Sequence, residues 1–204
     1  MTIAPTPPQA AVSTWPQTET RILLEGVSWE TFERLLVETG DNRNKRFAYC
    51  DGVLEIMTPL LEGHEESTRL FDQFVTVFID ALGLEVRSLG SLTMKNPEQK
   101  KGLEPDCCFY IQNEAVVRGI GQLDFKIHPP PDLAIEVDNT SSSLNKLPIY
   151  LALKIPELWR LRRGALTIYQ LDEAQLAYEE VQQSLAFPQM PVQALGIGGR
   201  ITSR

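Results

Sequence analysis

The chain has 204 residues, is 43 % hydrophobic and 23 % charged, and carries a net charge of −8 at neutral pH. These values are typical of one globular domain with a sizeable core. No run of about 18 apolar residues occurs, which argues against a transmembrane helix. The first residues also lack the basic and apolar regions of a secretory signal, so we expect a cytoplasmic protein.

The charge and the cysteines limit the classes of binding site. A net negative charge disfavours tight nonspecific binding to nucleic-acid phosphates, although two short basic clusters could still bind phosphate locally. Three cysteines without zinc-type spacing predict small, reduced apolar side chains rather than a metal site or a disulfide framework. The clusters and the cysteines are Lys95, Lys100 and Lys101; Arg160, Arg162 and Arg163; and Cys50, Cys107 and Cys108.

Composition divides the chain into three parts. Residues 1–20 are rich in Pro, Thr, Ala and Gln and predict a disordered arm. Residues 188–204 are rich in Gly, Pro and Gln and predict a flexible tail. One folded domain is therefore expected at residues 21–187.

The first half of this domain carries strong local signals. Ser28 predicts the N-cap of a helix over Trp29–Thr39, which Gly40 ends. Asp51-Gly52 lies between two short apolar runs and predicts a β-hairpin. The longest amphipathic helix is predicted at Glu62–Leu82, with Phe71, Phe74 and Phe78 packing in the core. Two short strands are expected next, at Leu84–Leu89 and Ser91–Met94.

The second half is richer in strands. Glu104-Pro105-Asp106 opens an apolar run to Ile111, and Asp132–Val137 reads as a central strand. A short helix is predicted from Lys146 to about Leu153. The remaining strands are predicted at Glu157–Leu161, Leu166–Leu171 and Ala177–Val181. This order of elements predicts an α/β fold with a mixed sheet covered by helices.

Carboxylates placed on apolar strands are the unusual feature of the sequence. Asp106 begins one such strand, and Glu136 lies within another, where an ionised carboxylate costs several kcal/mol unless it is paired or binds a metal. Asp132 and Asp138 share a sheet face with Glu136. Hard oxygen ligands suit Mg²⁺ or Mn²⁺, and Lys146 could reach back over the strand ends to stabilise a phosphorane-like charge.

Simpler roles remain open for several of these residues. Asp106 could accept hydrogen bonds from backbone amides at the strand entry, and Asp132 could do the same at a loop end. Asp138 could bond to the turn Ser141–Ser143, and Lys146 could be a solvated first-turn lysine. Trp159 is expected in the core or in a dimer interface.

Several motifs in this order resemble the restriction-endonuclease-like PD-(D/E)XK superfamily, and more narrowly its bacterial branch of standalone endonuclease-like proteins, long catalogued as a domain of unknown function. The resemblance covers roughly residues 28–178. The motifs are Glu104-Pro105-Asp106, Pro131-Asp132-Leu133-Ala134-Ile135-Glu136-Val137, Ser141-Ser142-Ser143-Leu144-Asn145-Lys146, Ile149-Tyr150 and Ile155-Pro156-Glu157-Leu158-Trp159.

The resemblance implies a restriction-endonuclease-like mixed sheet flanked by helices, with Asp106 and Glu136 holding Mg²⁺ or Mn²⁺. It also implies an auxiliary acid on the preceding helix, where Glu65 is preferred to Glu66, and His64 is a weaker candidate. One departure from the pattern is Asp138, which stands where the E-x-K motif has lysine. Lys146 is the nearest replacement.

The function expected from these residues is metal-dependent hydrolysis of phosphodiester bonds, in DNA, by Asp106, Glu136, Lys146 and Glu65. The alternative is a non-cleaving module of the same fold that binds nucleic acid or a protein partner. Apolar hairpin edges, Trp159 and the prevalence of symmetric dimers favour a homodimer.

Overall fold

The structure is a computed structural model that describes residues 20–40, 45–58, 73, 75–138, 144–162 and 165–190. Its elements in chain order are β1 (Thr20–Leu24), α1 (Trp29–Thr39), β2 (Arg46–Cys50), β3 (Val53–Thr58), α2 (75–82), β4 (Arg87–Ser88), β5 (Met94–Asn96), β6 (Lys101–Leu103), β7 (Cys107–Tyr110), α3 (Glu114–Val117), β8 (Leu133–Asp138), α4 (Leu147–Ala152), β9 (Glu157–Arg162), β10 (Ala165–Asp172) and β11 (Ala177–Val181).

The strands form two sheets. One has six strands in the order β11-β10-β9-β8-β7-β4 and is mixed, because β8 and β9 run parallel while its other pairs are antiparallel. The other is antiparallel, in the order β1-β3-β2-β6-β5. The α/β class and the mixed sheet are as predicted, whereas the second, antiparallel sheet was not predicted. The chain leaves the second sheet at Leu103 and enters the first at Cys107, across Pro105, which has no N–H to continue a ladder.

Local signals in the first half are confirmed. Ser28 Oγ accepts from Thr31 N–H at 3.1 Å, and α1 ends at Gly40 with φ +67°. The Asp51-Gly52 turn has positive φ at both residues, as a tight hairpin requires, and joins β2 to β3. Of the predicted long helix, only its C-terminal part lies within the described residues, as α2.

The middle of the chain departs from prediction in two places. The strand expected at Leu84–Leu89 is only the two-residue β4, and β5 begins at Met94, where the strand expected at Ser91–Met94 was to end. The segment expected to be a loop after Ile111 contains the short helix α3. The last three strands are found as predicted, at β9, β10 and β11, with β9 and β10 forming a hairpin. Among the described helices, none is long and apolar enough to cross a membrane.

Strand β8 separates two apolar layers. Leu133, Ile135 and Val137 project to one side, together with Val75 of α2 and the C-terminal residues Phe187 and Met190, so the core includes residues beyond 187. Ala134 projects to the other side, towards β2, β5, β6 and α4. Because side chains alternate along a strand, Glu136 and Asp138 lie on this second side, between the two sheets.

Glu157 anchors the C-terminal segment although it is completely buried. Its carboxylate accepts from Trp159 Nε1 and Ser184 Oγ, both at 2.6 Å, and from the backbone N–H groups of Leu185 and Ala186. These donors satisfy the charge without a cation. The Trp159 indole is itself fully buried, so its predicted alternative role in a dimer interface is wrong.

Candidate active site

The pairing of β7 with β8 brings Asp106 next to Glu136. Cys107 pairs with Ile135 in an antiparallel register, and Asp106 N–H donates to Ile135 O at 3.1 Å. The regular pairing begins at Cys107, and Asp106 lies directly before it, where its carboxylate accepts from the N–H of Val137, the residue after Glu136. Asp106 and Glu136 are both buried, at 4 % exposure each.

Glu136 is held by two residues of the following helix. Lys146 Nζ lies 2.7 Å from Glu136 Oε2, and the Tyr150 hydroxyl donates to Glu136 Oε1. Lys146 is the N-cap of α4 and Tyr150 lies four residues later, so both side chains project from one face of the helix. The structure thus brings together Asp106, Glu136 and Lys146, three of the residues that the sequence singles out.

Asp106 also has two partners. The Arg46 guanidinium binds Oδ1, and the Val137 N–H donates to Oδ2 at 2.6 Å. Asp106 thus accepts a hydrogen bond from a backbone amide, as the simpler of its two predicted roles requires. The ion pair adds a cation from β2 of the opposite sheet, which was not predicted.

Asp138, in the place of the E-x-K lysine, is bound by two arginines. Arg160 Nε lies 2.6 Å from Oδ2, and Arg21 Nη2 lies 3.3 Å from Oδ1. Arg21 also binds the buried carboxylate of Glu55 at 3.1 Å. The turn Ser141–Ser143, the expected partner of Asp138, lies outside the described residues. Asp138 thus anchors β8 to both sheets and supplies no positive charge.

Together these side chains form an ionic cluster between the sheets. Within the described ranges, each of its four carboxylates contacts at least one of its four cationic side chains. Side chains of the protein therefore balance the buried acids, which is the pairing that the sequence left open as the alternative to a metal. The ionic cluster consists of Glu55, Asp106, Glu136 and Asp138 with Arg21, Arg46, Lys146 and Arg160.

Protonation in the ionic cluster follows from burial and charge. Burial raises the pKa of Glu136, and Asp106 and Asp138 raise it further, against the opposing effect of Lys146. Burial would lower the pKa of Lys146, but the surrounding carboxylates outweigh it and raise that pKa. Burial and Glu136 together raise the pKa of Tyr150, so its hydroxyl stays neutral and donates a hydrogen bond to Glu136. The site thus holds a charged ammonium beside a carboxyl that is harder to ionise than usual.

Asp132 does not belong to the ionic cluster. Its carboxylate accepts from Ile111 N–H at 2.7 Å, Asn113 N–H at 2.9 Å and Asn113 Nδ2 at 2.6 Å. It precedes β8, about 13 Å of extended chain from Glu136, and holds the loop before α3. Its simpler role as a loop-end acceptor is confirmed. The remaining candidates, His64, Glu65 and Glu66, lie outside the described residues.

The comparisons with known proteins fit this geometry. A family model described as "Uma2: Putative restriction endonuclease" matches residues 29–200. The chain belongs to this family. No curated protein matches the chain. A solved structure described as a "putative nuclease belonging to DUF820", from Anabaena variabilis ATCC 29413, is similar in fold, with a TM-score of 0.50 at 15 % identity over 83 % of this chain and 91 % of that one. The Uma2 match confirms the resemblance to nuclease-like proteins, and the structural likeness confirms the fold class.

Tyr150 and Arg46, which contact the two proposed ligands in this Uma2 chain, were not predicted as members of the site. Tyr150 was part of a recognised motif but received no role, although its spacing of four from Lys146 predicts a shared helix face. Arg46 is the first residue of β2, an ordinary apolar strand, and its partner Asp106 is 60 residues away. Only the packing of the two sheets brings that pair together.

The donor set of this Uma2 site fits a small divalent cation in its chemistry. Asp106 and Glu136 offer adjacent hard carboxylates, and Mg²⁺ is commonly held by one or two carboxylates together with water and substrate phosphate. In the described part of the chain, no group of three or more His, Cys, Asp or Glu side chains could hold a metal. Two protein ligands, Asp106 and Glu136, are therefore the number that the described residues offer at this site.

Proposed function

We propose that this Uma2-family protein is a metal-dependent endonuclease that hydrolyses phosphodiester bonds in DNA. The observation that carries the proposal is the meeting of Asp106, Glu136 and Lys146 on one buried face between the sheets. Two acids beside a cation are what phosphodiester hydrolysis needs from a protein. In a family described as restriction endonucleases, this arrangement favours a nuclease over an unrelated hydrolase.

Each residue has one role in the proposed reaction. Asp106 and Glu136 would hold Mg²⁺ or Mn²⁺, which when bound polarises a phosphoryl oxygen and lowers the pKa of a water. The Tyr150 hydroxyl fixes the Glu136 carboxylate through Oε1. The Lys146 ammonium stabilises the negative charge that develops on the phosphate as the bond to the leaving oxygen breaks. Glu65 is proposed as an additional acid.

Arg162 is a candidate contact to the DNA backbone. It lies two residues after Arg160 on β9, so both project from the sheet face that carries Glu136. Arg160 is bound to Asp138, whereas Arg162 is exposed and makes no ion pair with any residue in the described ranges. The other predicted basic cluster is partly neutralised, because Lys95 binds Glu33 and Lys101 binds Asp51.

A non-cleaving module of the same fold is the second candidate. The specific observation in its favour is the neutral ionic cluster, in which side chains of the protein already balance the acids. Asp138 in place of the E-x-K lysine and the net charge of −8 point the same way. This module would bind nucleic acid or a protein partner. The predicted cytoplasmic location and homodimer remain predictions under either function.

Incubation of the purified protein with supercoiled plasmid and with single-stranded DNA tests the proposal. We expect nicking or degradation with Mn²⁺ or Mg²⁺, and none when EDTA removes the metal. Retention of DNA without cleavage at any metal concentration would support the non-cleaving module. If neither cleavage nor retention occurs, the proposed DNA substrate is wrong.

A further inference from the structure

Arg46 occupies one oxygen of a proposed metal ligand. Its guanidinium binds Asp106 Oδ1, while Oδ2 already accepts the Val137 N–H. The Asp106 side chain is 2 % exposed, whereas that of Arg46 is 21 % exposed. Arg46 is therefore the partner of this pair that is more accessible to solvent and to a substrate.

The charges of the ionic cluster determine how the contact between Arg46 and Asp106 affects metal binding. Within the described part of the chain, four cationic side chains face four carboxylates, so adding a divalent cation creates an excess of two positive charges. Like charges in a poorly solvated site repel strongly. The excess falls when an anion enters with the metal, or when one side-chain cation moves away.

Of the four cations, Arg46 has the most suitable position to move. Arg21 and Lys146 are more deeply buried than Arg46, at 8 % and 12 % side-chain exposure, and Arg160, at 28 %, contacts Asp138, which is not a proposed metal ligand. A guanidinium also binds phosphate with two parallel hydrogen bonds. A phosphodiester that binds Arg46 can therefore draw its guanidinium away from Asp106. The negative charge of the same phosphodiester also lowers the excess positive charge of the site.

We propose that Arg46 is a built-in counter-ion of Asp106 that competes with the divalent metal and moves to the substrate phosphate, so that metal and DNA bind cooperatively. The inference rests on the proposed function in one respect, which is that Asp106 is a metal ligand. It adds a residue and a coupling that the proposed reaction does not require. Without substrate, the protein binds metal weakly because Arg46 holds the ligand.

Binding of Mn²⁺ measures this coupling without any cleavage. The signal of free Mn²⁺ in electron paramagnetic resonance gives the dissociation constant for the wild-type protein, alone and with a short phosphorothioate-linked DNA duplex, corrected for Mn²⁺ bound by the duplex itself. We expect the duplex to tighten Mn²⁺ binding by roughly 5- to 150-fold, the usual range of coupling between two sites. Equal Mn²⁺ affinity with and without duplex overturns the proposal and requires no variant.

Substitutions then assign the coupling to Arg46. Arg46→Gln should tighten Mn²⁺ binding in the absence of DNA by at least about 5-fold and shrink the effect of the duplex. Arg46→Lys keeps the positive charge and should bind Mn²⁺ as weakly as the wild type. Lys45→Gln, a neighbouring exposed lysine, is the matched control and should change neither value. Circular dichroism confirms that each variant is folded.

The possible failures are distinguishable. If folded Arg46→Gln binds Mn²⁺ no more tightly than the wild type, the competition by Arg46 is wrong, whereas the proposed nuclease function stands. If Asp106→Asn leaves Mn²⁺ binding unchanged, Asp106 is not a ligand and the proposed function itself fails.

Discussion

Replacing Glu136 with glutamine reduces metal-dependent DNA cleavage by at least about 100-fold. The expected size follows from residues that only support metal ligands, whose loss already costs about 10- to 100-fold in metal affinity or activity. The change keeps the shape of the side chain but removes the negative charge that would attract the cation. Its amide can still bond to Lys146 or Tyr150, but the change breaks a buried ion pair, so thermal unfolding must show that the variant is folded at the assay temperature. Initial rates of plasmid nicking at saturating Mn²⁺ measure the effect.

The matched control is Glu180→Gln, on the exposed strand β11. It makes the same change in net charge far from the ionic cluster and should cleave at the wild-type rate. Cleavage by folded Glu136→Gln within a few-fold of this control would show that the acid between the sheets does not serve the reaction. The cleavage would then belong to another site or to a contaminating nuclease.

Replacing Lys146 with glutamine lowers kcat for DNA cleavage by about 100- to 1000-fold, the usual loss when one group that stabilises transition-state charge is removed. Mn²⁺ binding should persist or tighten, because the site loses a positive charge while both proposed ligands remain. A loss of kcat without a loss of metal binding separates Lys146 from Asp106 and Glu136. It would also show that a lysine ten residues after Glu136 replaces the one missing at position 138.

Stability must be measured alongside, because Lys146→Gln breaks a buried ion pair. Such a loss costs about 3–5 kcal/mol of unfolding free energy, and thermal unfolding shows whether the variant is folded at the assay temperature. Lys146→Arg keeps the charge and should recover part of the activity. Lys154→Gln, an exposed lysine after the other end of α4, is the control. Wild-type kcat in a folded Lys146→Gln protein would contradict the role proposed for this lysine.

Local sequence signals predicted most of the elements, though not β1, β6 or α3, and did not predict how the strands divide between two sheets. Helix α1 and the β2–β3 hairpin depend on a cap and a tight turn, which are read from consecutive residues. The division into two sheets depends on pairings such as β2 with β6, between strands about 50 residues apart in the chain. Such pairings are decided by packing, and a short apolar run does not identify its partner strand.

The candidate site was also predicted only in part, because its acids were identified from the sequence and most of their partners were not. Asp106 and Glu136 stood out because acids are costly on apolar strands, and the β7–β8 register then placed them side by side. Lys146 was predicted as the cation beside them, but the arginines that balance the other acids of the ionic cluster could not be predicted. Arg21 lies 117 residues from Asp138 in the chain and comes from the opposite sheet. Without these partners, the sequence suggested an unbalanced acidic site and overstated the need for a metal.

Crystals of the protein soaked in Mn²⁺ test the central claim most directly, through anomalous scattering at the manganese edge. The proposal predicts an anomalous peak in contact with carboxylate oxygens of both Asp106 and Glu136, with the Arg46 guanidinium moved off Asp106. It also predicts that the peak disappears in Glu136→Gln and persists in Glu180→Gln. Manganese bound only elsewhere, with the Asp106–Arg46 and Glu136–Lys146 pairs intact even when DNA is present, would contradict it.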